Sequence, residues 1–545
     1  MTEFSQLNTG FSVMANDLLT EMHKSGKYEI AEMASYVDKN HPGIRQVPWK
    51  VYPVVPTDPK ELQNYHKNYY QAQFGKDSFE KVVLDFKPDI VFSYRDHWHD
   101  EWITKSPSRR LFNYVWSACI DSEPPKAEWI GMYSSVDVVT SYSDWGLNVL
   151  RKYSGNNTNI ASTNVMPGVD QNIFKKMPKA EARAILGMKN DINIVLTVMR
   201  NQPRKLFPDL MYAFSKALED WKAIGRHDLV DKTYLYLHTS YPDVGFDIGK
   251  SILRHKLASK VLMTYCCKFC GHKFASFFNG EVCNCGHCGN FAAHPPNTAD
   301  GLSREDLAVV YNSADLYAQL SIAGALEIPL IEAKACGVPT IATDYAAMHE
   351  VSNLGGSYGL IEVAAWREEG ERETAQIRAS PNIEDCSLKI KNFFLESPET
   401  IDALSREAVN CARVHHRNET TYAKWDAIFD RLPMLSDDRW YEAPNKIKID
   451  DIPINSFEND EDFIEYVAAE LLPPKHSMRS FSTRKGLLTQ LKSGVKNENG
   501  NITRNTRKDI LGQIVGIAAD YNDFEQFRFE VMNGVVRTKP TVEVV

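Results

Sequence analysis

The chain is 545 residues long, 43% hydrophobic and 11% aromatic, which is enough apolar matter for two or three packed domains. Its net charge of −9 and pI near 6.0 exclude a surface coated uniformly in basic charge. No apolar run reaches the roughly 18 residues that a membrane-spanning helix needs. The start, Met-Thr-Glu-Phe-Ser-Gln, lacks the basic-then-apolar pattern of a signal peptide. Six of the ten cysteines fall between Cys266 and Cys288, while Cys119, Cys336, Cys386 and Cys411 are scattered. That distribution predicts a metal site in a reducing compartment, hence a cytoplasmic protein, and not a disulfide scaffold.

In chain order, Gln6 to Ser12 reads as a loop before an amphipathic helix through Val13, Leu18, Leu19 and Met22. Thr9-Gly10 is either a ligand-facing turn or a plain helix N-cap. Almost no room is left ahead of it for a first strand, so that strand is expected to be shortened or trimmed. Asp89–Tyr94 reads as a buried strand running into Arg95-Asp96-His97-Trp98-His99-Asp100, a polar loop at a strand end or at a cleft edge. Two histidines at this spacing with no third ligand nearby do not predict a metal site.

Tyr114–Ile120 is the next strand and ends in Asp121-Ser122-Glu123-Pro124-Pro125. Polar residues at the carboxyl end of a parallel strand face a cleft; alternatively, Asp121 caps a turn before the prolines. Val136–Tyr142 and Ile192–Val198 are further strands. The second leads into Arg200, Arg204 and Lys205, then into a helix with Leu210, Ala213, Phe214, Ala217 and Trp221 on one face. Tyr234–His238 and Val261–Tyr265 continue the sheet.

Two Cys-x-x-Cys-Gly knuckles follow, Cys267/Cys270 and Cys285/Cys288, with fourteen residues between Cys270 and Cys285. Each knuckle can present two thiolates to a tetrahedral Zn²⁺, which predicts a structural zinc ribbon over 264–292 with no open coordination position. The ribbon is expected to be a small module, serving either as a grip for a macromolecular acceptor or as a strut.

Residues 315–344 read strand, loop, helix, turn, strand. Leu316–Leu320 is the first strand, Gly324 the flexible point of the loop, Pro329 a first-turn proline, Gly337 the stop, and Thr340–Thr343 the second strand. Such a unit places loop N–H groups and a helix N-terminus at the carboxyl edge of the sheet, where anions bind. Glu332 is expected in the first helical turn, facing that edge.

This stretch resembles the donor-binding signature of the large group 1 family of retaining GT-B glycosyltransferases, through Ser321, Ile328-Pro329, Glu332-Ala333, Ala335, Gly337, Pro339 and Ala342. The resemblance runs roughly from residue 5 to residue 432. It includes Gly168-Val169-Asp170 before Phe174 and the Arg200…Lys205 pair, where Met199 and Leu206 stand at the family's glycines. One position departs. The family's first Glu aligns with Gly324, and the nearby carboxylate is Glu327.

The resemblance implies an α/β GT-B fold of two Rossmann-like domains facing across a cleft. The expected divisions are an acceptor-side domain at 1–175, a donor-binding domain at 176–433 whose last helix crosses back, the zinc-ribbon insert, and a mainly helical extension at 434–545. It further implies sugar transfer from a nucleoside diphosphate donor with retention of configuration. Arg200 and Lys205 would hold the diphosphate and Glu332 the ribose. Gly10, Gly324, Ala325, Leu326 and Glu327 would meet donor phosphate and sugar, and Asp121, then Glu123, would face the reacting carbon. Between Lys475 and Lys508 nine basic residues accompany the acid Glu498, a stretch that either contacts an anionic surface or nucleic acid or is simply solvated. Two other readings stay open: a nucleic-acid-modifying transferase, and a non-catalytic binding protein prompted by Gly324.

Overall fold

The computed structural model describes residues 1–155, 159–297, 301–369, 376–441, 452–496 and 502–533. The N-terminal half carries two parallel three-stranded sheets. One is ordered β1 (Thr2–Glu3), β2 (Ala31–Ser35), β3 (Lys50–Pro53); the other is ordered β4 (Ile90–Ser93), β5 (Asn113–Ala118), β6 (Val138–Ser141). Met1 stitches them together. Its ammonium donates to the Phe92 carbonyl at 2.8 Å, and its own carbonyl accepts from the Tyr94 N–H at 3.3 Å. The first strand, β1, spans two residues.

The second half is built on a nine-stranded sheet. It comprises β7 (Asn193–Val198), β8 (Thr233–His238), β9 (Val261–Cys267), β10 (Lys273–Phe277), β11 (Cys283–Asn284), β12 (Phe291–His294), β13 (Leu316–Gln319), β14 (Thr340–Thr343) and β15 (Ser357–Ile361). The order is β11-β12-β9-β8-β7-β13-β14-β15, with β10 on the free side of β9. The pairs among β9, β8, β7, β13, β14 and β15 are parallel and their residues mostly buried, which accounts for their near-continuous apolar sequences. An antiparallel hairpin, β16 (Val363–Glu369) with β17 (Gln376–Pro381), follows β15.

The cysteine segment is an outgrowth of this sheet. β9 runs two residues beyond the expected Tyr265 and carries Cys266 and Cys267 within it, and β12 pairs back onto both. The ribbon strands thus continue the hydrogen-bond ladder of the nine-stranded sheet and do not form a detached module.

The helix Asn418–Phe429 crosses back to the N-terminal half. Its Trp425 is fully buried, with ring centroids 4.6 Å from Phe92 and 5.8 Å from Phe429. Lys27 holds Asp426 and Asp430 at 2.8 and 2.6 Å. Beyond it the chain packs against the N-terminal half. Helices Asp460–Leu471, Phe481–Lys492 and Arg507–Met532 share a core around Phe463, Val467, Ile510 and Ile514. The last is one continuous helix of 26 residues. Its Phe524 joins the N-terminal core, and its Tyr521 hydroxyl donates to the Ser106 carbonyl. The acidic run Asp460-Glu461-Asp462 opens a helix capped by Asn459, whose side chain accepts from the Asp462 N–H, as a helix start requires.

Trp425→Ala removes the largest side chain at the crossing and is expected to destabilise the protein by about 3–5 kcal/mol. Urea midpoints of the variant and wild type measure this; an unchanged midpoint would mean the crossing helix contributes no stability.

Candidate active site

The carboxyl ends of the two parallel sheets face each other, and the residues singled out in the sequence collect there. The loop after β7 ends in a single 3₁₀ turn, Pro203–Lys205, and Leu206 then takes a left-handed backbone, φ 46°. A leucine in that conformation carries a strain of about 1–2 kcal/mol that a glycine does not. The turn drives Lys205 inward, where its side chain is only 6% exposed. There the ammonium donates to both carboxylate oxygens of Glu327 at 2.6 Å. Burial pulls the Lys205 pKa down to about 8, against the opposing effect of Glu327. Arg204, half exposed, stands 3.6 Å from the same carboxylate.

Glu327 immediately precedes the helix Ile328–Ala335. A Cβ built on Gly324 would lie 2.5 Å from Glu327 Oε1. The Glu327 carboxylate thus occupies the space above Gly324, and no side chain fits at 324 while it is there. Ala325 and Leu326 pack against the apolar cluster of Met14, Leu18 and Tyr94 from the other half. Their side chains are therefore in the joint between the halves and only their backbone is available to a ligand.

Glu332 lies in the second turn of the helix, one turn later than its sequence suggested. It is buried and accepts a hydrogen bond from the Tyr311 hydroxyl at 2.8 Å. Burial raises its pKa to about 7, against the pull of Tyr311 and Arg304. Arg304 itself makes a two-pronged contact with Asp17 of the N-terminal helix, at 2.6 and 2.9 Å.

Arg200 is about half exposed and paired with Asp243 at 2.8 and 3.0 Å. Gly10 is the exposed first residue of the helix Gly10–Ser25, capped by Thr9. The Thr9 hydroxyl bonds Glu3, whose carboxyl is raised by burial and drawn down by Thr9, Arg95 and Arg200. Arg200 therefore acts electrostatically on Glu3, the partner of Thr9.

The Asp121 carboxylate accepts from the Ser122 hydroxyl at 3.1 Å. Its Oδ1 lies 2.9 Å from Arg378 Nη1, on the β16–β17 hairpin. Glu123 is turned away from the cleft, toward Lys152 and Tyr153, while its backbone N–H donates to the Tyr345 hydroxyl at 3.2 Å. Its carboxylate does not join the others. His97 and His99 lie buried in the N-terminal half, stacked on Trp129 and Phe74 with centroids 3.9 Å apart in each case, and burial lowers them to about 4 and 3. They are packed core histidines.

Sequence reading passed over Asp96, Tyr311, Arg304 and Arg378. Burial raises Asp96 to about 7, with Asp121 adding to the effect and Cys119 and Arg204 opposing it. Its neighbours His97 and His99 carried the stronger motif signal. Arg378 sits on a hairpin outside the signature, and nothing in the sequence pairs it with Asp121. Further links cross the cleft: Glu350 accepts from the backbone N–H groups of Asp144 and Trp145 at 3.1 and 3.0 Å.

At the ribbon, the Sγ atoms of Cys267, Cys270, Cys285 and Cys288 lie within 4.8 Å of one another, with the 267–288 and 270–285 pairs at 3.7 Å. A tetrahedron of thiolates about 2.3 Å from a metal has edges of about 3.8 Å, so the four fit one ion. Gly271 and Gly289, with φ of 71° and 74°, donate to the Cys267 and Cys285 carbonyls at 2.9 Å and close the two knuckles. In the basic stretch of the extension, Lys475 pairs with Asp137, Arg507 with Asp460, Arg484 with Glu465 and Lys492 with Glu461. Four of its nine cations are thus already matched by carboxylates; Glu498 lies outside the described residues. Among the described residues no helix is long and apolar enough to cross a membrane.

Two facing Rossmann-like sheets joined by a returning helix define the GT-B architecture, and solved structures agree. A sucrose-phosphate synthase from Thermosynechococcus elongatus superposes with a TM-score of 0.52 at 14% identity, covering 77% of this chain and 92% of its own. Anabaena HepE in complex with UDP gives 0.51 at 13%, covering 77% and 96%. Residues 299–367 match the family described as "Glycosyl transferases group 1". A D-inositol 3-phosphate glycosyltransferase from Mycobacteroides abscessus is 29% identical over 181 residues, 33% of this chain and 30% of that relative's length. The chain is thus similar to the group 1 glycosyl transferases over its signature segment, and its fold is that of the GT-B structures.

The raised Glu332 pKa has a consequence for stability. The folded state keeps a proton that an unfolded glutamate releases near pH 4.3, so stability falls as pH rises from there to about 7 and is level above it. The effect is on the order of 3 kcal/mol. Glu332→Gln is expected to gain on wild type by up to that amount between pH 5 and 7.5 in urea denaturation. Parallel pH curves would show that the carboxyl ionises normally.

Proposed function

We propose that this protein transfers a sugar from a nucleoside diphosphate donor to a hydroxyl acceptor, with retention of configuration. The observation that carries this is the Lys205–Glu327 pair poised over Gly324 at the start of the helix Ile328–Ala335. A buried ammonium, loop N–H groups and a helix N-terminus together suit a diphosphate. The family's first Glu is missing at 324, but Glu327 supplies a carboxylate over the same spot, which favours a working site over a decayed scaffold.

Binding would be an exchange of partners. Donor phosphate oxygens take the place of Glu327 on Lys205 and of Asp243 on Arg200. Glu327, released, accepts from sugar hydroxyls. Glu332 accepts from the ribose diol. Asp121 faces the reacting carbon once Arg378 is drawn to substrate. In the step itself the bond from the anomeric carbon to the diphosphate oxygen breaks, and the acceptor oxygen bonds to that carbon on the same face. The acceptor proton passes to the departing phosphate oxygen. Lys205 and Arg200 stabilise the charge growing there, so the positive charge comes from side chains. Entry of the donor requires the two halves to part, because Arg304–Asp17, Arg378–Asp121 and Glu350 with the Asp144 and Trp145 N–H groups span the cleft.

A thermal-shift panel of UDP-, GDP-, ADP- and dTDP-sugars tests the donor. One donor near a hundred times its dissociation constant is expected to add about 2.7 kcal/mol. The shift should be lost in Arg200→Ala, whose half-exposed site leaves folding intact, and in Glu332→Ala. Absence of a shift with every donor would overturn the reading.

The four-cysteine cluster is assigned to a structural Zn²⁺ that ties the two knuckles to the β9 edge. The purified chain is expected to hold one zinc per molecule, and Cys285→Ser to lose the metal and lower Tm. Metal analysis and melting decide this; an intact Tm without metal would reduce the cluster to four free thiols.

A further inference from the structure

The carboxyl ends of β2 and β4 carry a surface to which the transfer step gives no task. β2 ends at Ser35 and continues into Tyr36, and β4 ends at Ser93 ahead of Trp98 and His99. The His99 ring stacks on Phe74 with centroids 3.9 Å apart, and both side chains are buried. Three more rings stand edge-on to this pair. Phe11 and Trp98 lie 6.1 and 5.4 Å from His99, and Tyr36 lies 6.1 Å from Phe74. Tyr65 and Tyr69, 5.7 Å apart, carry the row onward, and both act electrostatically on the Tyr36 hydroxyl. The upper rings are open to solvent: Tyr36, Trp98 and Tyr69 are 37%, 40% and 47% exposed.

This strip is braced from beneath. The buried Arg95 donates to Ser35 Oγ at 2.5 Å and to the Phe74 carbonyl at 3.2 Å, and pairs with Asp100. Tyr36 takes a left-handed backbone, φ 71°, a costly conformation for an aromatic residue, and such strain collects at ligand sites. His99, 6% exposed, keeps its Nδ1 without a hydrogen-bond partner. The strip also runs into the cleft. Phe11 follows the Thr9-Gly10 turn, and a Cβ built on Gly10 would meet nothing within 4 Å. Glu3 acts electrostatically on Tyr36 and is acted on by Arg200. The exposed rings and the cation assigned to the diphosphate thus lie within reach of one carboxylate.

The chemistry of the strip selects its ligand. A pyranose shows C–H groups on its ring faces and hydroxyls around its rim. The faces suit flat exposed rings, and the hydroxyls, which both donate and accept, suit tyrosine hydroxyls and an unpaired imidazole nitrogen. Charge speaks against a nucleic acid. Between residues 58 and 78, Lys60, Lys67 and Lys76 are balanced by Asp58, Glu61 and Asp77, so a phosphate backbone finds no excess of cations. An acyl chain would cover tyrosine hydroxyls and the imidazole nitrogen without pairing them.

We propose that the strip from Trp98 through Tyr36 to Tyr69 seats a neutral oligosaccharide, whose terminal sugar reaches past Phe11 to the Thr9-Gly10 turn and presents its hydroxyl to the cleft. The acceptor is then a glycan of more than one sugar ring, a statement that rests on the transferase reading above, whereas saccharide binding by the strip does not.

The test titrates the full chain, without donor, with cellotetraose, maltotetraose, mannotetraose and chitotetraose at millimolar concentration in a calorimeter. One of them is expected to bind. Trp98→Ala and Tyr69→Ala, at half-exposed positions and with unchanged melting curves, should each weaken that binding about tenfold. Tyr212→Ala, an exposed ring on the distant helix Phe207–Ala223, should leave it as it was. Binding of none of the four would overturn the proposal, as would wild-type affinity in the two strip variants or an equal loss in Tyr212→Ala. So would binding of poly(U) or of lauric acid that the strip variants abolish while the saccharides are ignored. The donor panel reads the transferase reading separately. A chain that binds an oligosaccharide but shifts with no donor keeps the strip and loses the transferase; the converse loses the strip alone.

Discussion

A charge taken out of water must find a partner or give up its charge, and the cleft of this protein is governed by that constraint. Lys205 is held by Glu327, Arg304 by Asp17, Arg378 by Asp121, and the more exposed Arg200 by Asp243. Where a carboxylate has no cation bonded to it, as at Glu332 and Asp96, burial raises its pKa to about 7. The cations that line the cleft are therefore each paired with a carboxylate. Two of the pairs, Arg304–Asp17 and Arg378–Asp121, also bridge the halves of the molecule. Opening the cleft and freeing charge are in this sense coupled, because the same contacts do both.

The Gly324 position shows how a departure in sequence is accommodated in space. A residue bearing a carboxylate there would collide with Glu327. The space is filled once, by the later residue, whose position ahead of the helix Ile328–Ala335 lets it reach back over the glycine. The Glu327 carboxylate, attached three residues along the chain, lies over Gly324 and beside the Lys205 ammonium. Leu206 is a comparable case. The backbone bends as it would for a glycine, and the leucine side chain holds its place by packing against the donor-side core.

Outside the cleft the chain is tied together by elements that leave and return. The helix Asn418–Phe429 anchors the donor-side half to the N-terminal core through Trp425, and the extension wraps the same half through Tyr521 and Phe524. The cysteine knuckles share β9 with the donor-side sheet, so a metal there would brace the strand edge directly. The basic stretch lends a nucleic-acid acceptor less than its sequence promised, because helix Asp460–Leu471 and Asp137 supply matching carboxylates.

Much was legible in the sequence because it is local. The strand-loop-helix-strand unit of 315–344, its Pro329 start and Gly337 stop, and the two Cys-x-x-Cys knuckles follow from backbone preference and ligand spacing over a few residues. Glu332 and Lys205 stand out in the sequence because a spaced motif carries them. What the sequence left open is what lies far apart along the chain. The partnership of Asp121 with Arg378, the turning of Glu123 toward Lys152, the burial of His97 and His99, and the closing of Glu327 over Gly324 each depend on side chains meeting across elements. Local pattern determined which elements form and which residues stand out as candidates; only the tertiary structure decided their partners and charges, because pairing and burial are properties of neighbours in space.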